Sequence, residues 1–379
     1  MVRLGDVCDI LNGYAFKSEE YSDSGFRIIR ISNVQKGYVE DTTPVFYPED
    51  NPIVNKYELF ENDLLLSLTG NVGRVALLEK EFLPAALNQR VACLRPKKGT
   101  AVRTKYLFHI LNSDAFEKAC ILSSKGLAQK NMSTEWLKDY LIPLPSLEKQ
   151  DEISETLNKV DELISLRKKQ LQKLDDLVKA RFVEMFGEEI KCGLPLKECC
   201  IDVRGGGTPS MQHPEYYGGN VPFIKSGDVR GDAVFSGTLW LTDKAIEETT
   251  AKYVPQGSVL VVNRSAALLR EFRAAIALRP VVINQDIKAF IPKNNYTSEY
   301  LLWAIKIQAQ LLLTKVTTVL TSHIDLKDLL ELRIADVSIK RQKEFSSFVA
   351  QVDKSKLAIQ QGLNRLEQMK QALMQKYFG

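Results

Sequence analysis

"SLEKQDEISETLNKVDELISLRKKQLQKLDDLVKARFVEMFG" fills residues 146–187, and "SIKRQKEFSSFVAQVDKSKLAIQQGLNRLEQMKQALMQKYFG" fills residues 338–379. Laid over each other at a shift of 192 residues (338 against 146), the two run without a gap, and eleven of the 42 positions are identical. They include Ser146/Ser338, Gln150/Gln342, Glu152/Glu344, Val160/Val352, Asp161/Asp353, Leu171/Leu363, Leu174/Leu366, Phe186/Phe378 and Gly187/Gly379. The chain thus closes a long charged segment on Phe-Gly twice. Self-similarity at a fixed period marks one structural unit written more than once.

Both segments carry apolar residues at alternating three- and four-residue steps. Ile153, Leu157, Val160 and Ile164 lead on to Leu171 and Leu174, while Phe345, Val349 and Val352 lead on to Ile359, Leu363 and Leu366. That is the seam of a coiled coil. Ser146 and Ser338 stand where a hydroxyl caps a first helical turn. Gly187 and Gly379 stand where a left-handed residue closes a last one. Some 40 residues at about 1.5 Å each give a helix of roughly 60 Å. Such a helix cannot hide its stripe alone; the expected partner is its own copy, antiparallel.

Upstream, "NMSTEWLKDYLIPLP" (131–145) matches "HIDLKDLLELRIADV" (323–337) at the same shift. Farther back the shift drifts to 195 or 196. "FRIIRISNVQKG" (26–37) resembles "VPFIKSGDVRGD" (221–232), and "LNQRVACLRP" (87–96) resembles "INQDIKAFIP" (283–292). The upstream pieces have accepted insertions that the helices have not. Apolar runs such as "FRIIRI", "LLLSL", "VLVVN" and "IKAFIP" read as strands. "TKYLFHILNSDAFEKACIL" (104–122) and "TSEYLLWAIKIQAQLLLTKV" (297–316) read as helices in equivalent places. The expected fold class is α+β: similar mixed α/β domains at 1–145 and 188–337, and long helices at 146–187 and 338–379, related as a pseudo-two-fold internal repeat.

The 379 residues, 45% hydrophobic and 26% charged, are ordinary for a soluble chain of two or three domains. No run of about 18 apolar residues marks a membrane span, and "MVRLGDVCDI" lacks the pattern of a secretory signal. The simplest expected location is the cytoplasm. Six scattered cysteines make no disulfide framework, and with three histidines they make a zinc site improbable. "RGGGTP" (204–209) lacks the GK[ST] ending of a phosphate loop and reads as a turn. No methyltransferase tetrapeptide or nuclease carboxylate cluster is present, so the chain reads as a binder, with catalytic, cofactor and metal residues none.

A net charge of +4 permits a nucleic-acid partner without demanding one. In the first globular piece the candidate DNA contacts are Lys17, Arg30, Asn33, Arg74, Gln89, Arg90, Lys125 and Gln129. In the second they are Arg204, Lys225, Asp228, Arg230, Arg264, Arg270 and Gln285. Arg can clasp guanine, and Asn or Gln adenine, through two hydrogen bonds. Asn88/Asn284 and Gln89/Gln285 recur in both copies, which argues for a shared structural job.

The order of globular piece, "IPLPSLEKQ" leading into a long helix, second globular piece, and "SIKRQ" leading into a second long helix resembles the specificity (S) subunit of type I restriction-modification systems. The second copy departs from the pattern by lacking the prolines that the first has at Pro143 and Pro145. The resemblance implies two target recognition domains, each reading half of a bipartite asymmetric site in double-stranded DNA. It also implies a coiled coil that sets the spacing and docks two methyltransferase (M) subunits, with restriction/translocase (R) subunits joining them. S-adenosylmethionine would then belong to the methyltransferase partner, ATP and Mg to the restriction partner, and none to this chain. The competing readings are a coiled-coil interaction scaffold and a stand-alone DNA-modifying enzyme.

Overall fold

The structure, a computed structural model, describes residues 1–124, 131–316 and 322–379; Lys125 and Gln129 lie outside the described residues. The chain forms two compact units, Met1–Lys168 with Gln361–Gly379, and Lys169–Gln360. The first long helix, Leu147–Lys191, therefore starts in the first unit and finishes in the second. The second long helix, Ile339–Phe378, does the reverse.

Within each unit the halves of these helices pack antiparallel, as the ion pairs between them show. In the first unit Asp161 meets Lys370 at 2.5 Å and Lys168 meets Glu367 at 3.5 Å. In the second, Asp175 meets Lys356 at 2.5 Å and Glu189 meets Arg341 at 2.6 Å. As the number on one helix rises, its partner's falls. These pairs are partly exposed and contribute little energy. Of the expected seam residues, Ile153 and Leu157 join the core of the first unit, and Phe345, Val349 and Val352 that of the second. Ile153, Leu157, Val160, Ile164, Phe345, Val349, Val352 and Leu363 are buried, with Leu171, Leu174, Ile359 and Leu366 half-buried.

One expectation fails at the end of the first helix. Gly187 does not close it: the helix runs on to Lys191, and Gly187 has no positive φ. Glu189 then reaches Arg341, and Ile190 packs against the core of the second unit. That tertiary packing outweighs the roughly 1 kcal/mol that a glycine costs inside a helix. The expected upstream helices are also each divided in two, Thr104–Leu111 and Asp114–Ser123, then Ser298–Ile307 and Ala309–Thr314. In the first pair Ser113 restarts the helix by accepting the Phe116 N–H on its hydroxyl at 3.2 Å.

Besides a small two-stranded sheet, each unit holds two stacked sheets under its helices. In the first unit one sheet orders Cys8–Asn12, Val91–Pro96, Leu64–Ser67 and Val75–Leu77; the other orders Phe46–Tyr47, Phe26–Ile29, Ala85–Leu87 and Glu58–Leu59. The second unit repeats this with Cys200–Gly205, Ile287–Pro292, Val259–Val262, Ala274–Ala277 and Ala233–Val234, then Leu239–Leu241, Tyr217–Ile224, Val281–Ile283 and Tyr253–Val254. Successive strand residues face opposite ways. Leu64 and Leu66 therefore meet the helices, while Leu65 meets Ile29, Ala85 and Leu87 of the other sheet. Val259 and Val261, against Leu260 and Val262, do the same in the second unit. Burial on both faces explains why these strands read as unbroken apolar runs.

The recurring glutamines fasten each long helix to the unit where it begins. Gln150 is fully buried; its Oε1 accepts the Arg103 N–H at 2.8 Å, and its Nε2 donates to Ala101 O and Pro145 O, both at 2.9 Å. Gln342 repeats the set with the Thr297 N–H at 2.8 Å, Asn295 O at 2.8 Å and Val337 O at 2.9 Å. Two buried tyrosines reinforce them, Tyr106 donating to Pro143 O and Tyr300 to Ala335 O. Burial pushes the Tyr106 hydroxyl pKa up to about 12 and raises that of Tyr300 as well, which keeps both as donors.

Candidate nucleic-acid interface

Strand ends and loops gather at one place in each unit. In the first, Gly13 passes so close to the Asn88–Arg90 turn that a Cβ on it would sit 2.2 Å from Asn88 O. Tyr14 N then bonds Leu87 O, Leu68 N bonds Arg90 O, and Met132 N bonds Leu68 O. Thr69 and Asn131 pair as an isolated bridge. Asn88 N bonds Ile29 O, and Val91 N bonds Asn88 O. Three loops are thus fixed by backbone alone.

The second unit repeats the arrangement bond for bond. A Cβ on Gly206 would sit 2.1 Å from Asn284 O. Gly207 N bonds Ile283 O, Asn263 N bonds Asp286 O, Ile324 N bonds Asn263 O, Asn284 N bonds Ile224 O, and Ile287 N bonds Asn284 O. Arg264 and His323 form the matching bridge. The frame therefore equates Thr69 with Arg264, Arg90 with Asp286, and Asn131 with His323, while Gln89 and Gln285 stay the same.

The sequence-derived candidates divide among several places. Gln89, Arg90, Arg264 and Gln285 are exposed members of these loop clusters. Gln285 accepts a hydrogen bond from Thr208. The side chains of Arg90 and Arg264 make no hydrogen bond or ion pair to any described residue. Arg270 is exposed and ends the short turn that follows Arg264. Lys17 is exposed beside Glu20 at 3.7 Å. Lys225 is half-buried, its N–H bonded to Asp228.

Asn33 and Asp228 have a different job from base contact. Asn33 is 3% exposed; its Oδ1 accepts the Arg30 N–H, and its Nδ2 donates to Glu40 O and Asp41. Asp228 matches it, accepting the N–H groups of Lys225 and Thr238. Both are turn staples, a role Asn and Asp fill because a short side chain reaches nearby backbone. Four arginines are tethered: Arg30 to Thr43 O, Arg74 to Gln35, Arg204 to Asp202 and Tyr253 O, and Arg230 to Gly227 O.

Thr69, Asn131, Asp286 and His323 were missed as members of the cluster. The recurrent Asn-Gln pair was the signal that pointed there. Arg273 was also missed; it stands where Arg74 does, since Ser67 N bonds Arg74 O and Val262 N bonds Arg273 O.

The halves differ most at the ends of the long helices. Phe186 is fully buried against Phe182, Tyr300 and Phe345. Phe378 is half-buried against Tyr106, on the wall of a cleft of about 760 Å³ that also exposes Asn158, Asp161 and Lys370. His109 borders that cleft, 1% exposed, with Nε2 at 2.8 Å from Asn158 Oδ1. Its desolvation lowers the imidazole pKa, against the opposing Asn158 hydrogen bond. At the repeat-equivalent positions the second unit has Trp303 for His109 and Val178 for Lys370, both buried.

Among the described residues, no group of three or more His, Cys, Asp or Glu is placed to hold a metal ion. Burial pushes the thiols of Cys8, Cys120 and Cys200 up to about 12, away from the nucleophilic thiolate. No helix among the described residues is long and apolar enough to cross a membrane.

A duplicated scaffold that holds one loop frame in two copies and changes the side chains on it defines a class: a paired recognition protein. The family profile of the type I restriction modification DNA specificity domain matches residues 1–176 and again 196–368. The chain belongs to that family, the type I restriction modification DNA specificity domain family. It is 27% identical over 302 residues to the EcoR124I/EcoR124II specificity subunit of Escherichia coli, covering 72% of this chain and 69% of that protein. It is 32% identical over 182 residues to the MjaVIII specificity subunit of Methanocaldococcus jannaschii, covering 46% of this chain and 42% of that one. Two solved chains share the fold. One comes from work on complex assembly and conformational transition of the type I R-M system, with a TM-score of 0.55 at 20% identity over 100% of this chain and 96% of that one. The other is the S subunit from M. genitalium, with a TM-score of 0.52 at 15% identity, covering 100% and 95%.

Proposed function

We propose that this chain chooses the DNA sequence on which a type I restriction-modification complex acts, with residues 1–145 and 188–337 as its two target recognition domains. Each reads one half of a bipartite, asymmetric site in double-stranded DNA. The observation that carries this reading is the loop frame, held by matching backbone bonds in both units while the side chains at three of its positions differ. Two readers of that kind select two unlike half-sites.

The long helices, Leu147–Lys191 and Ile339–Phe378, are the spacer in this reading, since each begins in one unit and ends in the other. Their outward polar faces dock two methyltransferase subunits, and restriction/translocase subunits complete the assembly. Adenine methylation with S-adenosylmethionine, and ATP- and Mg-dependent cleavage, reside in those partners. The test is sequencing of methylated adenines in a host expressing this chain with the rest of its system. The expected result is one split motif with two defined halves and a fixed gap. A soluble, assembled complex that marks no DNA would instead favour an interaction scaffold.

A further inference from the structure

Resting on that DNA reading, we infer that Arg90 in the first unit and Arg264 in the second are specificity-determining residues, each recognising a guanine in its own half-site. The argument starts from the frame. Positions 69/264, 90/286 and 131/323 are superposable by their backbone bonds, so a side chain at each leaves its frame from an equivalent point. The first unit places threonine, arginine and asparagine there; the second places arginine, aspartate and histidine. The cation has moved from one loop to the neighbouring one.

Several of the other basic candidates are consumed by the fold. Arg30, Arg74, Arg204 and Arg230 each spend their guanidinium on a carbonyl or side chain of their own unit. Arg90 and Arg264 are exposed and uncommitted, yet their backbones are anchored, Arg90 O by the Leu68 N–H and Arg264 N by Asp286 O. A free guanidinium on a fixed backbone fits bidentate recognition, because its planar fork matches O6 and N7 on the major-groove edge of guanine. Asp286 stands where Arg90 does and holds an Asn284 amide at 2.9 Å. A carboxylate at that position would repel phosphate, so the second unit cannot use it as the first uses its arginine. The two halves should therefore carry guanine at different places relative to their frames.

The test uses the full chain in its assembled complex, with Arg90→Ala, Arg264→Ala and the charge-keeping Arg90→Lys and Arg264→Lys. Marked sites are sequenced from a randomised library. For each alanine variant the preference for guanine at one position of one half-site is expected to fall by about ten- to a hundredfold, with the other half unchanged. The lysine variants should keep overall affinity while weakening the same preference, since an ammonium reaches guanine without the fixed fork; they also serve if an alanine variant proves insoluble. A uniform loss across all sequences would make these arginines phosphate contacts and overturn the inference. So would unchanged specificity, or one variant relaxing both halves. If the unaltered complex marks no bipartite site, the DNA reading fails first and this inference with it.

Discussion

Replacing Gln342 by glutamate tests whether the recurring glutamines truly fasten the helices. The side chain is fully buried, accepts one backbone N–H and donates to two backbone carbonyls. A carboxylate keeps the first bond and loses both others, facing Asn295 O and Val337 O with repulsion in place of attraction. Gln342→Ala leaves the buried Val337 carbonyl and the Thr297 N–H without partners, at roughly 1–3 kcal/mol each, or about 2–6 kcal/mol together. Gln342→Glu should cost at least as much at neutral pH, since it buries a charge as well. Its folded-state pKa should be raised above the ordinary value of about 4.3. The unfolded state then ionises first, so stability falls as pH rises through that window and recovers as pH is lowered toward 4.3. With two units, a single unfolding free energy is not defined. Hydrogen exchange resolved by peptide is therefore the assay. Protection should drop across the second unit at pH 7.5, much less at pH 5, and little in the first unit at either. A Gln342→Glu chain as protected as the unaltered one at pH 7.5 would refute the fastening argument.

Phe186→Ala should destabilise the second unit by about 3–5 kcal/mol, as for a buried aromatic, while Phe378→Ala should cost the first unit clearly less; denaturant titration read by exchange in each unit compares them. His109 gives the first unit an acid sensitivity. Its pKa is lowered in the fold, so its contribution is complete above about 6.5 and is lost as pH falls below that. A His109→Gln chain should show a flatter loss of first-unit stability between pH 7 and pH 5. Asn33→Ala and Asp228→Ala should each cost about 1 kcal/mol locally by removing hydrogen bonds to partly buried or exposed backbone N–H groups, and should loosen their loops without assigning a new base, which exchange and marked-site sequencing would show together.

The long helices were legible because a three-and-four spacing has one physical meaning, a stripe that must be covered. Their ungapped repeat also gave the partner, and the antiparallel sense is what the ion pairs show. The end of the first helix was not legible: glycine propensity favours a stop at Gly187, but Ile190 and Glu189 find tertiary partners beyond it. Asn33 looked like a base reader because asparagine serves equally well as a turn staple, and only its 3% exposure separates the two uses. The loop frame was hidden for a different reason. It is built from backbone N–H and C=O groups, which every residue carries, so no residue type marks it.

What the sequence did offer at the frame was an opposition between identity and difference. Gln150 and Gln342 are identical and make the same three bonds, and Gly13 and Gly206 are both forced by a passing carbonyl. In a duplicated protein, a residue that recurs at an equivalent place is held there by the scaffold, which both halves share. A residue that changes on an unchanged backbone is free to answer to something outside the scaffold, and here that contrast falls on Arg90 against Asp286 and Thr69 against Arg264. The conserved Phe-Gly shows the limit of the rule. Phe186 and Phe378 have the same identity and pack on equivalent tyrosines, yet one is sealed in an aromatic core and the other walls an open cleft. Identity fixes the job of a residue in the scaffold; how much that job stabilises depends on neighbours that differ between the two units.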